Sequence, residues 1–202
     1  MKKSVFDINF QQTSVSNKIV VGLERLSEVF RTLLWEEAKK HGVSPIQIQI
    51  LIFVANHKDS LSTISYLAKE FNVSKPTISD AVKALEKKGH IFKDFSNSDS
   101  RSFLIVLTQK GNDLVAQTST YANRLKEKLA GFEDEKLETV YDTISKLIAN
   151  LNSAQIISVQ RMCYACKFHS TKNNNDYCKY LQKPLYTKDI RLDCPEFVEK
   201  TS

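Results

Sequence analysis

The order of the elements between residues 44 and 108 constrains the fold of this chain more than any other feature. Ser44 and Pro45 open a helical pattern, as a capping residue followed by proline at the first helical position. A second short helical pattern covers residues 62–71, and a third begins at Ser74 after a brief turn. Two β-like runs follow. Helix, helix, short turn, helix and hairpin in this order predict a winged helix-turn-helix.

The third helix of this series has the character of a DNA-recognition helix. Ile78, Val82 and Leu85 form its apolar stripe, while its other faces carry small hydroxyls and the two lysines Lys75 and Lys83. A helix fits the major groove of B-DNA, and such side chains bond phosphates and base edges without steric bulk. A polar helix taken alone is more often a solvated surface helix, so the DNA-binding prediction rests on its neighbours as well.

A hairpin follows the recognition helix. Residues 91–95 and 102–107 are β-like runs, and the polar stretch 96–100 joins them. Arg101 lies at the base of this turn, where its side chain is a candidate for insertion into a narrow minor groove. The hairpin therefore supplies the predicted wing.

Three longer amphipathic helices are predicted at residues 17–41, about 109–130 and 133–152. Ser16 or Asn17 is the expected cap of the first, and residues 1–16 are expected to form an N-terminal arm. These helices exceed what a small helix-turn-helix core needs to cover itself. The predicted fold class is mainly α with a small β-hairpin wing (α+β), a winged helix-turn-helix with a helical dimerisation region.

Residues 17–152 resemble the MarR family of bacterial regulators. The resemblance is carried by Ser44-Pro-Ile-Gln-Ile-Gln-Ile-Leu51, Ile64-Ser-Tyr-Leu-Ala-Lys-Glu-Phe71 and the stretch 73–89, and most specifically by Asp99-Ser-Arg101 with Leu107-Thr-Gln-Lys-Gly111. It implies a homodimer whose helices 17–41 and 109–152 interlock, with two reading heads (44–108) on a palindromic double-stranded DNA site. It also implies that Arg101 enters the minor groove while Asp99 orients it. The expected DNA-contacting residues are Ser74, Lys75, Pro76, Thr77, Ser79, Asp80, Lys83, Asp99 and Arg101.

The resemblance further implies a pocket for a small-molecule effector between the dimer helices and the reading head. Trp35, Phe53 and Tyr66 are candidates for its lining, with plain core positions as the alternative. Two features depart from the family pattern. The turn 96–100 contains neither lysine nor arginine, and the chain continues past Asn152 beyond the common core.

That extension, residues 153–202, contains all four cysteines of the chain, as Cys163-x2-Cys166-x11-Cys178-x15-Cys194-Pro195. Four thiolates suit a metal centre, either tetrahedral zinc or an iron–sulfur cluster. A zinc ribbon needs two Cys-x2-Cys pairs and this chain has one, so we expect an iron–sulfur cluster, with zinc as the alternative. His169 is expected to be a surface residue rather than a further ligand. This cysteine module (153–202) has few large aliphatic residues, and metal binding would supply folding free energy that its core lacks.

Charge and composition exclude several functions. The formal net charge of +6 suits a polyanionic partner. The N-terminus lacks the apolar core of a secretion signal, and no apolar run approaches the ~20 residues of a membrane span, so a cytoplasmic protein is expected. The histidines are scattered and no phosphate-binding glycine loop occurs, which predicts a regulator, not an enzyme. A redox or metal-binding protein that uses the winged helix for protein interaction is the alternative.

Overall fold

The structure of the chain is a computed structural model that describes residues 3–96, 103–158, 161–172 and 175–200. Asp99 and Arg101 of the predicted wing lie outside the described residues. The helices are α1 (Ile8–Gln11), α2 (Val15–His41), α3 (Pro45–Asn56), α4 (Ile64–Glu70), α5 (Lys75–Lys87), α6 (Gln109–Thr118), α7 (Asn123–Leu129) and α8 (Asp134–Ser153). The strands are β1 (Ile91–Asp94), β2 (Leu104–Leu107), β3 (His169–Lys172), β4 (Asn175–Cys178) and β5 (Lys183–Leu185). The predicted fold class, mostly helical with a small antiparallel hairpin, is confirmed.

The helix starts follow the side chains that cap them. The Ser44 hydroxyl accepts a hydrogen bond from the Gln47 backbone N–H, and the Gln47 side chain accepts one from the Ser44 N–H, which completes a capping box. Ser74 caps α5 in the predicted way. The cap of α2 is Ser14, and the prediction of Ser16 or Asn17 was wrong. Asn17 instead donates from its side chain to the Phe10 carbonyl at 2.8 Å, which ties α1 to the first turn of α2.

The hydrophobic core centres on α3. Ile48, Ile50 and Leu51 are fully buried, and α3 packs against α2, α5, α6 and β2. The hairpin closes one side of this core, with Ile91 opposite Leu107 in an antiparallel register. Burial of each side chain of this size stabilises the folded state by about 1.5–3 kcal/mol. α5 and the base of the hairpin are thus held on one rigid support.

The long helix predicted over 109–130 is interrupted, so that prediction was wrong. Thr118 is fully buried, and its hydroxyl donates to the Leu114 carbonyl at 2.8 Å. The backbone then tightens, since Tyr121 N–H donates to the Thr118 carbonyl and Asn123 N–H to the Thr120 carbonyl. Threonine hydroxyls that bond back into the preceding turn bend helices. The chain therefore leaves α6 here and restarts as α7.

The cysteine module contains a small antiparallel sheet in the order β3-β4-β5. His169 pairs with Cys178 across β3 and β4, and Cys178 pairs with Lys183 across β4 and β5. The buried side chains beneath it are few, chiefly Met162, Leu185 and Ile190. Tyr141 of α8 donates its hydroxyl to the Ile190 carbonyl at 2.6 Å, so the module packs against the preceding helix.

Gly111 lies in α6 and gives a test of how closely α6 packs against the backbone that precedes β1. A Cβ at this position would lie 2.1 Å from the His90 carbonyl oxygen, which is backbone and also accepts the Thr108 N–H. We expect Gly111→Ala to lower the free energy of unfolding by about 3 kcal/mol, at the upper end for overpacked sites. Chemical denaturation of the purified proteins measures the difference. Gly131→Ala is the control, because nothing lies within 4 Å of a Cβ there. Equal stability of the two variants would contradict the described contact.

Candidate functional site

The outer face of α5 presents the predicted DNA-contacting side chains together. The helix buries Ile78, Ala81, Val82 and Leu85 against the core. On its other side Ser79 is half-buried, and the remaining predicted contacts are exposed, namely Ser74, Lys75, Pro76, Thr77, Asp80 and Lys83. The arrangement gives a polar surface on a rigidly packed helix, as insertion into a groove requires.

The first turn of α5 is fixed by its cap. The Ser74 hydroxyl accepts the Thr77 backbone N–H at 3.3 Å and is hydrogen-bonded to the Thr77 hydroxyl at 2.7 Å. The N-terminal amides of a helix lack intrahelical partners and attract phosphate oxygens. Lys83 is 3.3 Å from the Asp80 carboxylate, and both side chains are well exposed. Exposed pairs of this kind are weak, so Lys83 is available for a phosphate contact.

α3 and α4 hold α5 at a fixed angle. Asn72 adopts a positive φ of 51° in the turn between α4 and α5, and the Val73 N–H donates to the Ala68 carbonyl at 3.0 Å. Gln47 of α3 is buried and donates its amide to the Ala81 carbonyl at 3.4 Å, while its oxygen serves the α3 cap. The sequence analysis missed Gln47. A glutamine at the N3 position of a serine-capped helix was the signal available for the cap, but not for the link to α5.

The first strand of the hairpin is anchored to α5. Lys93 of β1 is 2.6 Å from the Glu86 carboxylate of α5 and is largely shielded from solvent. Its ammonium also lies over the Phe103 ring, 5.2 Å from the centroid. These contacts fix the hairpin beside the exposed face of α5.

The four cysteines surround one small cavity. Cys163, Cys166, Cys178 and Cys194 all line a space of about 30 Å³, and none of them forms a disulfide. Cys166 is buried and the other three are half-buried. Within the described ranges, no group of three or more His, Cys, Asp or Glu side chains is placed so that it could hold a metal ion. Three separate segments of the chain, those that carry Cys163 with Cys166, Cys178 and Cys194, thus converge on one cavity.

Hydrogen-bond donors point at the sulfur atoms. The Arg191 backbone N–H donates to Cys163 Sγ at 3.2 Å, and the Leu181 N–H donates to Cys178 Sγ at 3.5 Å. The Arg191 guanidinium lies 3.8 Å from Cys194 Sγ. Burial raises the pKa of the Cys163 thiol, and the other three cysteines raise it further through charge repulsion. A cation in the cavity would reverse both effects, because thiolates are the form that binds metal.

His169 was expected at the surface, and that expectation was wrong. Its side chain is only 12% exposed, and Nε2 is 2.9 Å from the Asp176 carboxylate. The ring also packs edge-on against Tyr164. His169 lines the cysteine cavity, but its Nε2 is paired with Asp176.

Arg161, which the sequence analysis missed, joins the cysteine module to the helix-turn-helix. Its guanidinium donates to both oxygens of Glu70, at 2.5 and 3.2 Å, and to both oxygens of Asp193, each at 2.8 Å. It also donates to the Tyr66 hydroxyl at 2.9 Å and lies over the Phe53 ring. No local pattern predicts contacts between residues so distant in the chain. We call Arg161, Glu70, Tyr66 and Asp193 the Arg161 junction.

The junction is electrostatically satisfied. Burial alone would lower the pKa of Arg161, but hydrogen bonds to Asp193, Glu70 and Tyr66 outweigh it and raise the pKa. Burial likewise works to raise the pKa of Asp193, while hydrogen bonds from Arg161 and His57 hold it below its usual value. His57 stacks on Phe53 with ring centroids 3.9 Å apart and lies 2.7 Å from Asp193. The guanidinium therefore stays charged between two carboxylates.

The three candidates for an effector pocket do not share one lining. Trp35 is 49% exposed on α2, whereas Phe53 is buried in the core. Tyr66 is half-buried and belongs to the Arg161 junction. Phe53 and Tyr66 thus serve the contact between the cysteine module and the helix-turn-helix.

Known proteins share the order of helices and hairpin described above. Residues 41–102 match the family model of the MarR family. The chain is similar to the transcriptional regulator PA3341, with 26% identity over 67% of this chain and 98% of that chain, at a TM-score of 0.58. It is also similar to MepR of S. aureus in a DNA complex, with 22% identity over 64% of this chain and 94% of that one, at a TM-score of 0.56. A MarR protein from Peptoclostridium difficile shares 19% identity over 76% and 94% of the two chains, at a TM-score of 0.60.

These likenesses, together with the observed order of helices and hairpin, show that the chain has the winged-helix fold of the MarR-family transcription regulators. The described helices include none with the length and apolar character that crossing a bilayer requires.

Proposed function

We propose that the chain is a sequence-specific DNA-binding transcriptional regulator of the MarR type, acting as a homodimeric repressor on a palindromic operator. The observation that carries this proposal is the exposed polar face of α5, held by buried contacts to α3 and α4 and flanked by the hairpin. A polar helix held rigidly beside a hairpin is the arrangement that winged-helix proteins insert into the major groove. MepR, which shares the fold, was solved bound to DNA.

The contacts divide by chemistry. Lys75, Lys83 and the α5 amides supply phosphate contacts that position the protein, while Thr77 and Ser79 supply base-edge contacts. Arg101 enters the minor groove beside the recognition helix, and Asp99 orients it; both roles come from the family resemblance. Because the turn 96–100 contains no basic residue, Arg101 is the principal cation of the wing.

The second copy in the dimer covers apolar surface that one chain leaves open. Along α2 and α8 large apolar side chains are exposed at helical spacing, among them Ile19, Leu26, Phe30, Val140 and Leu147. Phe132, between α7 and α8, is 57% exposed. Exposed large apolar side chains that recur along helices in this way are typical of protein–protein interaction sites. Pairing of these helices between copies would also set the separation of the two recognition helices.

The four cysteines are proposed to hold an iron–sulfur cluster. All four cysteines line one small cavity, and the sequence has one Cys-x2-Cys pair where a zinc ribbon needs two. The N–H donors aimed at Cys163 and Cys178 are contacts that tune such clusters. The cluster is proposed to make DNA binding depend on metal or redox state.

The DNA-binding proposal is tested by selection of duplexes from a random pool with the purified protein. We expect recovery of an inverted repeat whose half-sites lie about one helical turn apart, roughly 10 base pairs. Lys75→Ala should then weaken binding to all duplexes and lower the salt dependence of log K by about 1 unit, as loss of one phosphate contact does. Lys126→Ala, at an exposed lysine of α7, is the control and should leave both unchanged. Recovery of no duplex would favour the alternative of a protein-interaction module.

The dimer is tested by placing a charge on its proposed surface. Val140 is 53% exposed in one chain, so Val140→Asp leaves the fold intact but puts an unpaired carboxylate between copies. We expect dimerisation to weaken by roughly 2 kcal/mol or more. Sedimentation at micromolar concentration should show wild-type dimer and increased monomer in the variant. Thr139→Asp, an exposed polar position on the same helix, is the control. A monomeric wild-type protein would overturn the proposal.

The metal centre is tested by anaerobic purification with a visible spectrum and metal analysis. We expect brown protein that contains iron and inorganic sulfide in similar amounts, and loss of both in Cys178→Ser. His169→Asn is the control, because His169 lines the cavity while its Nε2 is engaged with Asp176. Colourless protein with one zinc per chain would show that the cluster assignment is wrong and that zinc, the alternative, is bound.

A further inference from the structure

We propose that the Arg161 junction transmits the state of the cysteine cavity to the recognition helix, so that loading the metal centre changes DNA affinity. This inference rests on the proposed function and adds the path of regulation. The path has three contiguous parts: the segments that carry Cys163 and Cys194, the guanidinium of Arg161, and α4 with the turn into α5.

The first part links the cysteines to the junction through the backbone. Arg161 lies two residues before Cys163, and Asp193 immediately precedes Cys194. The Cys194 N–H donates to the Arg161 carbonyl at 2.9 Å, and the Cys163 N–H donates to the Arg191 carbonyl at 3.0 Å. The segment around Cys163 and the segment around Cys194 are therefore hydrogen-bonded to each other beside the cavity. The positions of Cys163 and Cys194 are thus coupled through the backbone to the positions of Arg161 and Asp193.

The second part is the guanidinium itself. Arg161 uses Nε and Nη2 for Asp193, and Nη1 and Nη2 for Glu70, so one planar group spans the module and α4. The Arg161 and Glu70 side chains are only 10% and 17% exposed. A buried ion pair strongly penalises loss of one partner, because the remaining charge is left without compensation. Displacement of Asp193 therefore leaves Arg161 underpaired and disturbs its contact with Glu70.

The third part leads from Glu70 to the DNA-contacting surface. Glu70 is the last residue of α4 and lies four residues before Ser74, the cap of the recognition helix. The intervening turn is tight, with Asn72 at positive φ and Val73 bonded to Ala68. A shift of the C-terminal end of α4 thus reaches the first turn of α5 without passing through the hydrophobic core.

The direction of the effect follows from the module's small core. Few apolar side chains are buried in it, and the segments around Cys163 and Cys194 have little regular structure. With metal bound, four ligands fix these segments and present Asp193 to Arg161. Without metal, the segments lose that restraint and the junction loosens. We expect the loaded protein to bind DNA more tightly, by a factor within the usual range for coupled sites of about 5 to 150.

The test compares loaded and metal-stripped full-length protein. Dissociation constants are measured for the duplex recovered by selection, with protein reconstituted with iron and sulfide and with the stripped form. We expect the ratio of the two constants to be at least about 5 for wild type and close to 1 for Arg161→Ala and Glu70→Gln, both with the wild-type iron content. Arg161→Lys keeps the charge but cannot span both carboxylates, and should restore the ratio only in part. Arg124→Ala, which removes an exposed ion pair with Glu36, is the matched control and should keep the full ratio.

A second measurement separates this inference from the proposed function. Hydrogen exchange of the amides of residues 64–70 should slow on loading in wild type and in Arg124→Ala, but not in Arg161→Ala or Glu70→Gln. The Glu70→Gln substitution is nearly isosteric, so the affinity ratio and the hydrogen exchange of this variant test the inference if Arg161→Ala does not fold. The inference is overturned if fully loaded variants keep the wild-type affinity ratio and protection, or if wild type shows neither effect. If no duplex is bound by any form, the proposed function fails, and exchange in α4 alone decides whether the junction responds to loading.

Discussion

The burial of α3 on nearly all of its faces is the constraint on which the rest of the structure depends. Its sequence, PIQIQILIFVAN, is too apolar to lie on a surface, so α2, α5, α6 and β2 must pack around it. The same helix carries Gln47, which bonds the recognition helix, and Phe53, which underlies Arg161. One buried helix thus supports both the proposed DNA-contacting surface and the attachment of the cysteine module.

Two buried polar groups on this apolar support give the assembly its specific geometry. Apolar packing tolerates small shifts, whereas the Gln47 amide and the Arg161 guanidinium need partners at fixed distances and angles. Gln47 fixes the separation of α3 and α5, and Arg161 fixes the cysteine module against α4. The energetic penalty for a half-satisfied buried group makes each contact close to all-or-none. Such contacts specify an arrangement more than they stabilise it.

Local chemistry explains what the sequence could predict. The N-caps of α3 and α5 and the apolar stripe of α5 depend on neighbouring residues, and Ser44 and Ser74 mark the two caps directly. The break after α6 was missed because it depends on the buried Thr118, whose burial is a tertiary property. Arg161 was missed for the same reason, since its partners Glu70 and Tyr66 lie some 90 positions away. Clustering of the cysteines was foreseeable because their number and spacing carry the signal. The DNA contacts in the wing stay a prediction, as Asp99 and Arg101 lie outside the described residues.

The polar nature of the Arg161 junction suits the proposal that the stability of the cysteine module depends on metal. An apolar interface of similar size would hold the module in place whether or not its segments were ordered, because hydrophobic contact needs little directional precision. The Arg161 junction instead requires Asp193 to be presented at hydrogen-bond distance, and Asp193 belongs to a loop that the adjacent Cys194 anchors. Metal ligation fixes such a loop at a free energy on the order of 10 kcal/mol for a structural site. In the proposed mechanism, a small part of that energy would pass through Arg161 to the last turn of α4 and would shift α5 between positions of different DNA affinity.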